Sequence, residues 1–199
     1  MKKPKLRELA EAVKAIFTGP YTPKEFLKPP EGLRGLAQFF EDDCIGCVAC
    51  AEVCPAQCIK VDDDLDHDPP MRRLTVWTDQ CIVCGQCERH CTTKTGIRLT
   101  PDYDLATFEA HQPRVSVEKE LMLCEGCGTV IACVDHLKWI ARRIGPKTYA
   151  NPALLVAANP MLRRVQVRLR KEPAEDRSNL MRALCPNCRR GVLALEVWG

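Results

Sequence analysis

The first regular pattern along the chain is amphipathic and lies between residues 5 and 17. Apolar residues recur there at the three- and four-residue spacing of one helix face, and most of the other positions are charged. The apolar positions are Leu6, Leu9, Ala10, Val13, Ile16 and Phe17. The pattern predicts a helix that ends at Gly19 and Pro20. A proline-rich extended arm is predicted to follow it up to about residue 35 and to lie across another surface.

Residues 36–100 contain an internal repeat, in which each copy is predicted to form a strand, a cysteine-containing loop, a short helix and a second strand. Leu74–Trp77 is one of these predicted strands, and the acidic stretch 62–70 between the copies is predicted to be a surface loop. Four cysteines of the first copy return 37 residues later with identical spacing. They are Cys44, Cys47, Cys50 and Cys54, followed by Cys81, Cys84, Cys87 and Cys91.

The pattern changes after residue 110. Val130–Ile144 has an apolar face at helical spacing and is followed by Gly145 and Pro146, so it predicts a helix. Residues 164–170 alternate between basic or polar and apolar side chains, which favours a strand and leaves a basic helix as the alternative. We therefore expect three parts: a helix and arm at 1–35, a repeat domain at 36–110 and a C-terminal domain at 111–199.

Fourteen cysteines among 199 residues indicate that metals or disulfides contribute to the stability of the protein. Glu8, Glu11 and Lys14 interrupt the apolar stretch that an export signal needs. The chain also has no run of ~20 apolar residues that would span a membrane. In a reducing compartment thiols persist, so we expect the clustered cysteines to be metal ligands.

The two repeated runs have the C-x2-C-x2-C-x3-C spacing of bacterial ferredoxins that hold two [4Fe–4S] clusters. Three thiolates on a tight loop reach one cluster, whereas the fourth cysteine is predicted to lie on the helix that follows and to complete the neighbouring cluster. The predicted ligands are Cys44, Cys47, Cys50 and Cys91 for cluster 1, and Cys81, Cys84, Cys87 and Cys54 for cluster 2. Zinc or disulfides at these positions are the alternative.

Thr92 and Cys58 lie close to these ligands in the sequence. Pro55 follows Cys54, as the ferredoxin motif asks, but Thr92 follows Cys91, so the hydrogen bonding and the potential of that cluster are expected to differ. Cys58 is predicted to pack as a small apolar residue and not to bind metal.

Two further C-x2-C pairs, Cys124 with Cys127 and Cys185 with Cys188, are separated by 57 residues. Together they predict a closed tetrahedral site of four thiolates, with Zn²⁺ as its ion. Iron in a rubredoxin-like site and a redox-active pair of dithiols are the alternatives. Cys133 and His136, on the predicted helix that follows, are expected not to bind the metal.

The charge of the chain is uneven. Residues 41–70 carry nine acidic side chains and one lysine, whereas residues 138–190 carry thirteen basic and three acidic ones. The basic part indicates a surface for a partner or a solvated face. Nucleic-acid binding is a rival function, which the scarcity of aromatic residues there (Trp139, Tyr149 and Trp198) disfavours, so no nucleic-acid partner is expected.

With these elements in order, residues 5–110 resemble the iron–sulfur subunit shared by respiratory complex I and the group 4 NiFe hydrogenases. The helix, the arm that ends near Leu33-Arg34-Gly35, the paired cysteine runs and the segment GIRLTPDYDLATF carry the resemblance. The tail from LMLCEGCG to LCPNCRR is more similar to the small ferredoxin-like subunit of formate hydrogenlyase. The expected fold is α+β: a bacterial-type 2[4Fe–4S] ferredoxin fold with an N-terminal helix and arm, and a zinc-ribbon-like C-terminal domain.

The resemblance implies an electron-transfer subunit of a multisubunit oxidoreductase, without catalytic residues of its own. Its partners would be the electron-input and catalytic subunits, with the N-terminal helix placed against a membrane-arm subunit. Its location would be cytoplasmic, at the periphery of the membrane and held there by partner subunits. A free ferredoxin is a third possibility, which the helix and the arm disfavour because a soluble carrier needs neither.

Overall fold

The computed structural model describes residues 6–18, 30–103, 105, 113–162 and 181–197. The chain divides into two compact units, Met1–Leu33 and Arg34–Gly199. In the first unit, helix α1 spans Leu6–Thr18 and confirms the predicted amphipathic helix. Leu6, Leu9, Val13, Ile16 and Phe17 on it are all exposed. The predicted strand at residues 164–170 and most of the predicted arm lie outside the described residues.

The second unit begins with the repeat. Its first copy contains β1 (Ala37–Phe39), α2 (Ala49–Glu52) and β2 (Ile59–Asp64), and its second contains β3 (Met71–Trp77), α3 (Gln86–Arg89) and β4 (Ile97–Leu99). The predicted order of strand, loop, short helix and strand is confirmed in both copies. β1 pairs with β4, and β2 pairs with β3, so each sheet joins a strand of one copy to a strand of the other. The acidic stretch is not wholly a loop, because residues 62–64 lie in β2.

The second unit continues with β5 (Pro113–Leu123) and β6 (Val130–Cys133), which extend the β2–β3 hairpin into a four-stranded sheet of order β2-β3-β5-β6. The sheet therefore crosses the boundary predicted at residue 110. Helix α4 spans Val134–Ile144, a 3₁₀ turn spans Gly145–Ala150, α5 spans Pro152–Ala158 and α6 spans Pro186–Val197. The prediction of one helix from Val130 is wrong for its first four residues, because they pair with β5.

The core of the repeat lies on one face of this sheet. Alternate positions of β3 and β5 face it, so the cross-strand pair Leu74 and Val117 and the neighbouring Val76 are buried. Ile59 of β2 and Ile97 of β4 pack with them, together with several of the repeat cysteines. A second core lies between α4 and α5. The sheet thus forms one wall of the space that the repeated loops enclose.

Candidate iron–sulfur and metal centres

The two cysteine loops share their backbone conformation as well as their spacing. Residues with positive φ occur in pairs 37 positions apart: Gly46 (φ 68°) with Val83 (53°), Val48 (60°) with Gly85 (77°), and Gln57 (50°) with Lys94 (67°). The left-handed residues at positions 46 and 48 turn the chain between successive cysteines, which is how a short loop directs three sulfurs inward. The duplication seen in the sequence is therefore also a duplication of geometry.

The eight repeat cysteines line two separate cavities. One is lined by Cys44, Cys47, Cys50 and Cys91, and the other by Cys54, Cys81, Cys84 and Cys87. Each cavity takes three cysteines from one copy and one from the other. This distribution is that of the two predicted ligand sets, including the exchange of the fourth cysteine.

Apolar side chains complete the walls of both cavities. Phe39, Val48, Leu74 and Ile97 line the first, and Ala37, Ile59, Val76 and Leu99 line the second. Burial raises the pKa of the Cys50 thiol to about 12 and that of Cys87 to about 11. Thiols in such surroundings ionise readily only beside a cation, and the irons of a cluster supply that charge.

Hydroxyl groups contact two sulfurs of the first set. Thr92 Oγ1 lies 3.1 Å from Cys47 Sγ, and Thr93 Oγ1 lies 3.4 Å from Cys91 Sγ. Burial opposes ionisation of Cys91, but the Thr93 hydroxyl and nearby backbone amides outweigh it and lower the pKa of this thiol. Thr92, which replaces the expected proline, therefore places a hydrogen-bonding group at the first cavity.

Cys58 lies closer to the second cavity than the sequence indicated. It is 3% exposed and lines the cavity, and its sulfur is 3.4 Å from Cys54 Sγ. Burial and the contacts with Cys54 and Cys81 raise the pKa of the Cys58 thiol, which favours its protonated form. Cys58 follows Cys54 after only three residues that form a turn, and this short separation was the available signal for the contact.

The four C-terminal cysteines, Cys124, Cys127, Cys185 and Cys188, form a tighter group. Their sulfur atoms all lie within 4.8 Å of one another, and those of Cys127 and Cys185 are 3.7 Å apart. Zn–S bonds of about 2.3 Å at tetrahedral angles place sulfurs about 3.8 Å apart. Within the described ranges this is the one group of three or more cysteine, histidine or acidic ligand atoms that meets so closely. The spacing fits a single ion, whereas thiolates that bind separate corners of an iron–sulfur cube are spread further.

The two C-x2-C turns are held together by the residues around them. The amides of Gly126 and Cys185 donate to Cys124 Sγ at 3.4 and 3.2 Å. The Glu125 carboxylate accepts from the Ala183 amide at 3.0 Å, and Arg182 donates to the Glu125 carbonyl oxygen at 2.8 Å. The Thr129 hydroxyl and neighbouring thiols lower the pKa of Cys127 to about 6. These contacts fix the two turns relative to each other.

The two residues predicted not to bind metal lie away from this group. Cys133 is the last residue of β6, fully buried, and its sulfur donates to the Gly46 carbonyl oxygen at 3.3 Å. His136 lies on α4, where burial lowers its pKa. Within the described residues, no helix is long and apolar enough to span a bilayer.

Comparisons with known proteins agree with this geometry. The 4Fe-4S dicluster domain family matches residues 43–95, which confirms the predicted two-cluster domain. NADH-quinone oxidoreductase subunit I 2 of Geobacter metallireducens is 30% identical over 115 residues, 53% of this chain and 87% of that protein. NAD(P)H-quinone oxidoreductase subunit I of Gloeobacter violaceus is 31% identical over 93 residues, 45% of this chain and 44% of that protein.

The extent of these matches differs. The match spans less than half of the Gloeobacter protein but most of the Geobacter one. Among solved structures, a chain of the membrane-bound sulfane sulfur reductase, an archaeal respiratory membrane complex, has 28% identity and a TM-score of 0.38. That match covers 55% of this chain and 59% of the other.

Proposed function

Because the chain belongs to the family of NADH-quinone oxidoreductase subunit I, we propose that it relays electrons through two [4Fe–4S] clusters inside a multisubunit oxidoreductase. The observation that carries the proposal is the division of eight cysteines between two cavities, with one cysteine exchanged between the copies. Bound clusters would supply one-electron chemistry at low potential. No residue of the chain is assigned a catalytic role.

The residues of the chain would then have three tasks. Cys44, Cys47, Cys50 and Cys91 would hold cluster 1, and Cys54, Cys81, Cys84 and Cys87 would hold cluster 2. The apolar side chains of both cavities exclude water from the sulfurs, and the hydroxyls of Thr92 and Thr93 adjust the charge on two of them. The exchanged cysteines tie the two copies together, so the clusters stay at a fixed and short separation.

The C-terminal cysteines would bind one Zn²⁺ in a closed, structural site of the zinc-ribbon type. The sulfur spacing and the four-thiolate set support this assignment, because zinc prefers tetrahedral sulfur ligands and a closed shell leaves no position for a substrate. Iron would occupy the same geometry, and metal analysis distinguishes the two.

The partners we propose are electron-input and catalytic subunits of a group 4 NiFe hydrogenase or formate hydrogenlyase-type complex. The C-terminal cysteine tail favours this branch over complex I, since it is an addition to the two-cluster domain. The exposed apolar face of α1 would contact a membrane-arm subunit, which gives the chain a peripheral position on the cytoplasmic side.

Metal analysis of anaerobically purified protein, together with electron paramagnetic resonance of the reduced form, tests the proposal. We expect about eight irons and one zinc per chain, with signals from two interacting clusters. About four irons would show that one cavity holds no cluster and would contradict the relay. A ninth iron in place of zinc would instead change only the C-terminal assignment.

Purification of the native complex tests the partners. Identification of hydrogenase-like large and small subunits in the same particle is expected. Recovery of the chain alone, as a free carrier, would contradict the assignment to a complex and leave the cluster assignment intact.

A further inference from the structure

Two cations lie side by side on the core-facing side of the sheet, next to the first cysteine loop. Arg72 of β3 and Lys119 of β5 are direct cross-strand partners, and like charges in this arrangement destabilise a sheet. They occupy the same face as Leu74 and Val117, two positions further along each strand, so both point toward the core. Lys119 is only 8% exposed. A buried lysine is costly unless something offsets its charge.

The neutralisation around this pair is incomplete. Arg72 is balanced by a bidentate ion pair with Asp63, at 2.7 Å for both contacts. Lys119 Nζ donates to the Glu41 carbonyl oxygen at 2.6 Å and lies 3.6 Å from Asp135, which is also the partner of Lys138 at 3.2 Å. Three cations thus share two carboxylates. Three further carboxylates line the same pocket. Those of Glu41 and Asp42 are exposed, so water screens their charge, and that of Asp43 lies 3.6 Å from Arg98.

Both cations lie against the first cysteine loop. A Cβ on Gly46 would lie 3.2 Å from Lys119 Cβ, so the lysine stem packs directly on the chain between Cys44 and Cys47. Arg72 Nη1 donates to the Gly46 carbonyl oxygen at 3.3 Å, and Lys119 and Cys44 line one pocket. At the second loop, exposed Arg34 donates to the Cys84 carbonyl oxygen at 3.2 Å.

We propose that Lys119 is a potential-setting residue for cluster 1, and that it raises the reduction potential of this cluster selectively. The inference rests on the proposed function, since it requires a cluster held by Cys44, Cys47, Cys50 and Cys91. A cluster with four thiolates is anionic and gains a further negative charge when it accepts an electron. A fixed buried cation therefore stabilises the reduced form more than the oxidised form.

Redox titrations of the holoprotein, followed by paramagnetic resonance with dithionite as reductant, test the inference. In Lys119→Met we expect one of the two titration waves to move to lower potential, with a roughly tenfold smaller reduced-to-oxidised ratio at fixed potential, which is ~59 mV for one electron. Lys119→Arg keeps the charge, so the potential of this wave should stay close to that of the unaltered protein. Asp135→Asn, which removes a countercharge and keeps the lysine, should move the same wave to higher potential.

Two marker variants identify the wave. Thr92→Val acts on Cys47 and should move the wave that Lys119→Met moves, whereas Arg34→Met should act on the other wave only. Because Lys119 is buried, its effect should persist in 1 M salt, and that of exposed Arg34 should shrink there. If both clusters assemble and the wave does not move in Lys119→Met or Asp135→Asn, the inference is wrong. Absence of iron signals in the unaltered protein would instead overturn the proposed function.

Discussion

At the scale of single residues, the cysteine loops contain backbone conformations that cost free energy. Their neighbours also leave little space around them. Val48 and Val83 are β-branched residues with positive φ, in positions where the other copy has glycine. Strain of this kind persists where the surroundings fix the backbone, and it is common at functional sites. Each loop therefore depends on neighbours that hold it, and the first loop takes those neighbours from β3, β5 and β6.

Gly46 is the tightest position of the first loop. A methyl group there would lie 2.5 Å from Cys133 Sγ, and φ is 68°. We expect Gly46→Ala to destabilise the fold by about 1–3 kcal/mol through the clash and the backbone strain, and to lower the occupancy of cluster 1. Denaturant unfolding and iron content are the measurements.

The double variant Gly46→Ala with Cys133→Ala separates the two causes. Removal of the sulfur relieves the clash and leaves the φ strain, so it should recover part of the lost stability and iron. If the double variant has the same stability and iron content as Gly46→Ala, the contact with Cys133 is not the cause of the loss.

Thr92 gives a second prediction at this scale. Thr92→Val keeps the shape of the side chain and removes the hydroxyl that lies 3.1 Å from Cys47 Sγ. The thiolate then carries more negative charge, so the potential of cluster 1 should fall by tens of millivolts while the fold is retained. Redox titration measures it, and Thr95→Val, a hydroxyl bonded to the Thr93 carbonyl oxygen, is the control.

The grouping of the eight cysteines around two cavities could be predicted from the sequence because it depends on spacing within 60 residues of chain. The residues around them could not. Lys119 and Cys133 reach the loop at Gly46 only through the register of β5 and β6, and nothing local to residues 119 or 133 indicates that register. Thr92 departs from the motif beside Cys91, but the sulfur that its hydroxyl contacts is that of Cys47, in the other copy of the repeat.

At the scale of elements, local patterns predicted α1 and the repeated units, and tertiary pairing decided the rest. Val130–Cys133 has the apolar spacing of the helix that follows it, yet these residues form β6 because β5 offers an open strand edge beside them. The extension of the hairpin by β5 also joins the two cysteine-rich halves in one sheet. Periodicity within a short segment does not contain this information.

The apolar face of α1 gives a prediction for this scale. Ile16 and Phe17 are 78% and 85% exposed, so the double variant Ile16→Ser with Phe17→Ser should leave the melting temperature of the purified chain unchanged. If this face docks on a partner, loss of the two side chains should weaken assembly at least tenfold, since each buried side chain contributes about 1.5–3 kcal/mol. Co-purification of partner subunits measures the effect.

Lys14→Ser, on the charged face of the same helix, is the matched control and should assemble normally. Assembly of the Ile16 and Phe17 variant at the level of the control would mean that α1 has no docking role.

At the scale of the whole molecule, the C-terminal cysteine group and the first cysteine loop are connected by two strands. β5 carries Lys119 and ends at Leu123, directly before Cys124, and β6 follows the turn at Cys127 and ends at Cys133. Glu125 binds this turn to residues 182 and 183. An ion at the four sulfurs would therefore hold the strand ends that position Lys119 and Cys133 on the first loop. Arg34, which contacts the second loop through the Cys84 carbonyl oxygen, lies on neither strand.

If the four sulfurs hold an ion, its loss should therefore affect the two clusters unequally. In Cys188→Ser, which removes a ligand remote from both cavities, we expect the free energy of unfolding of the C-terminal part to fall by several kcal/mol. Iron should then leave cluster 1 several times faster than cluster 2 under a chelator, because Gly46 of the first loop packs against Lys119 of β5 and Cys133 of β6. Time courses of the two paramagnetic signals measure the rates, with Arg190→Ser as the neighbouring control. Equal rates for both clusters would show that the C-terminal site stabilises only its own surroundings, and that the sheet does not transmit its order to the first loop.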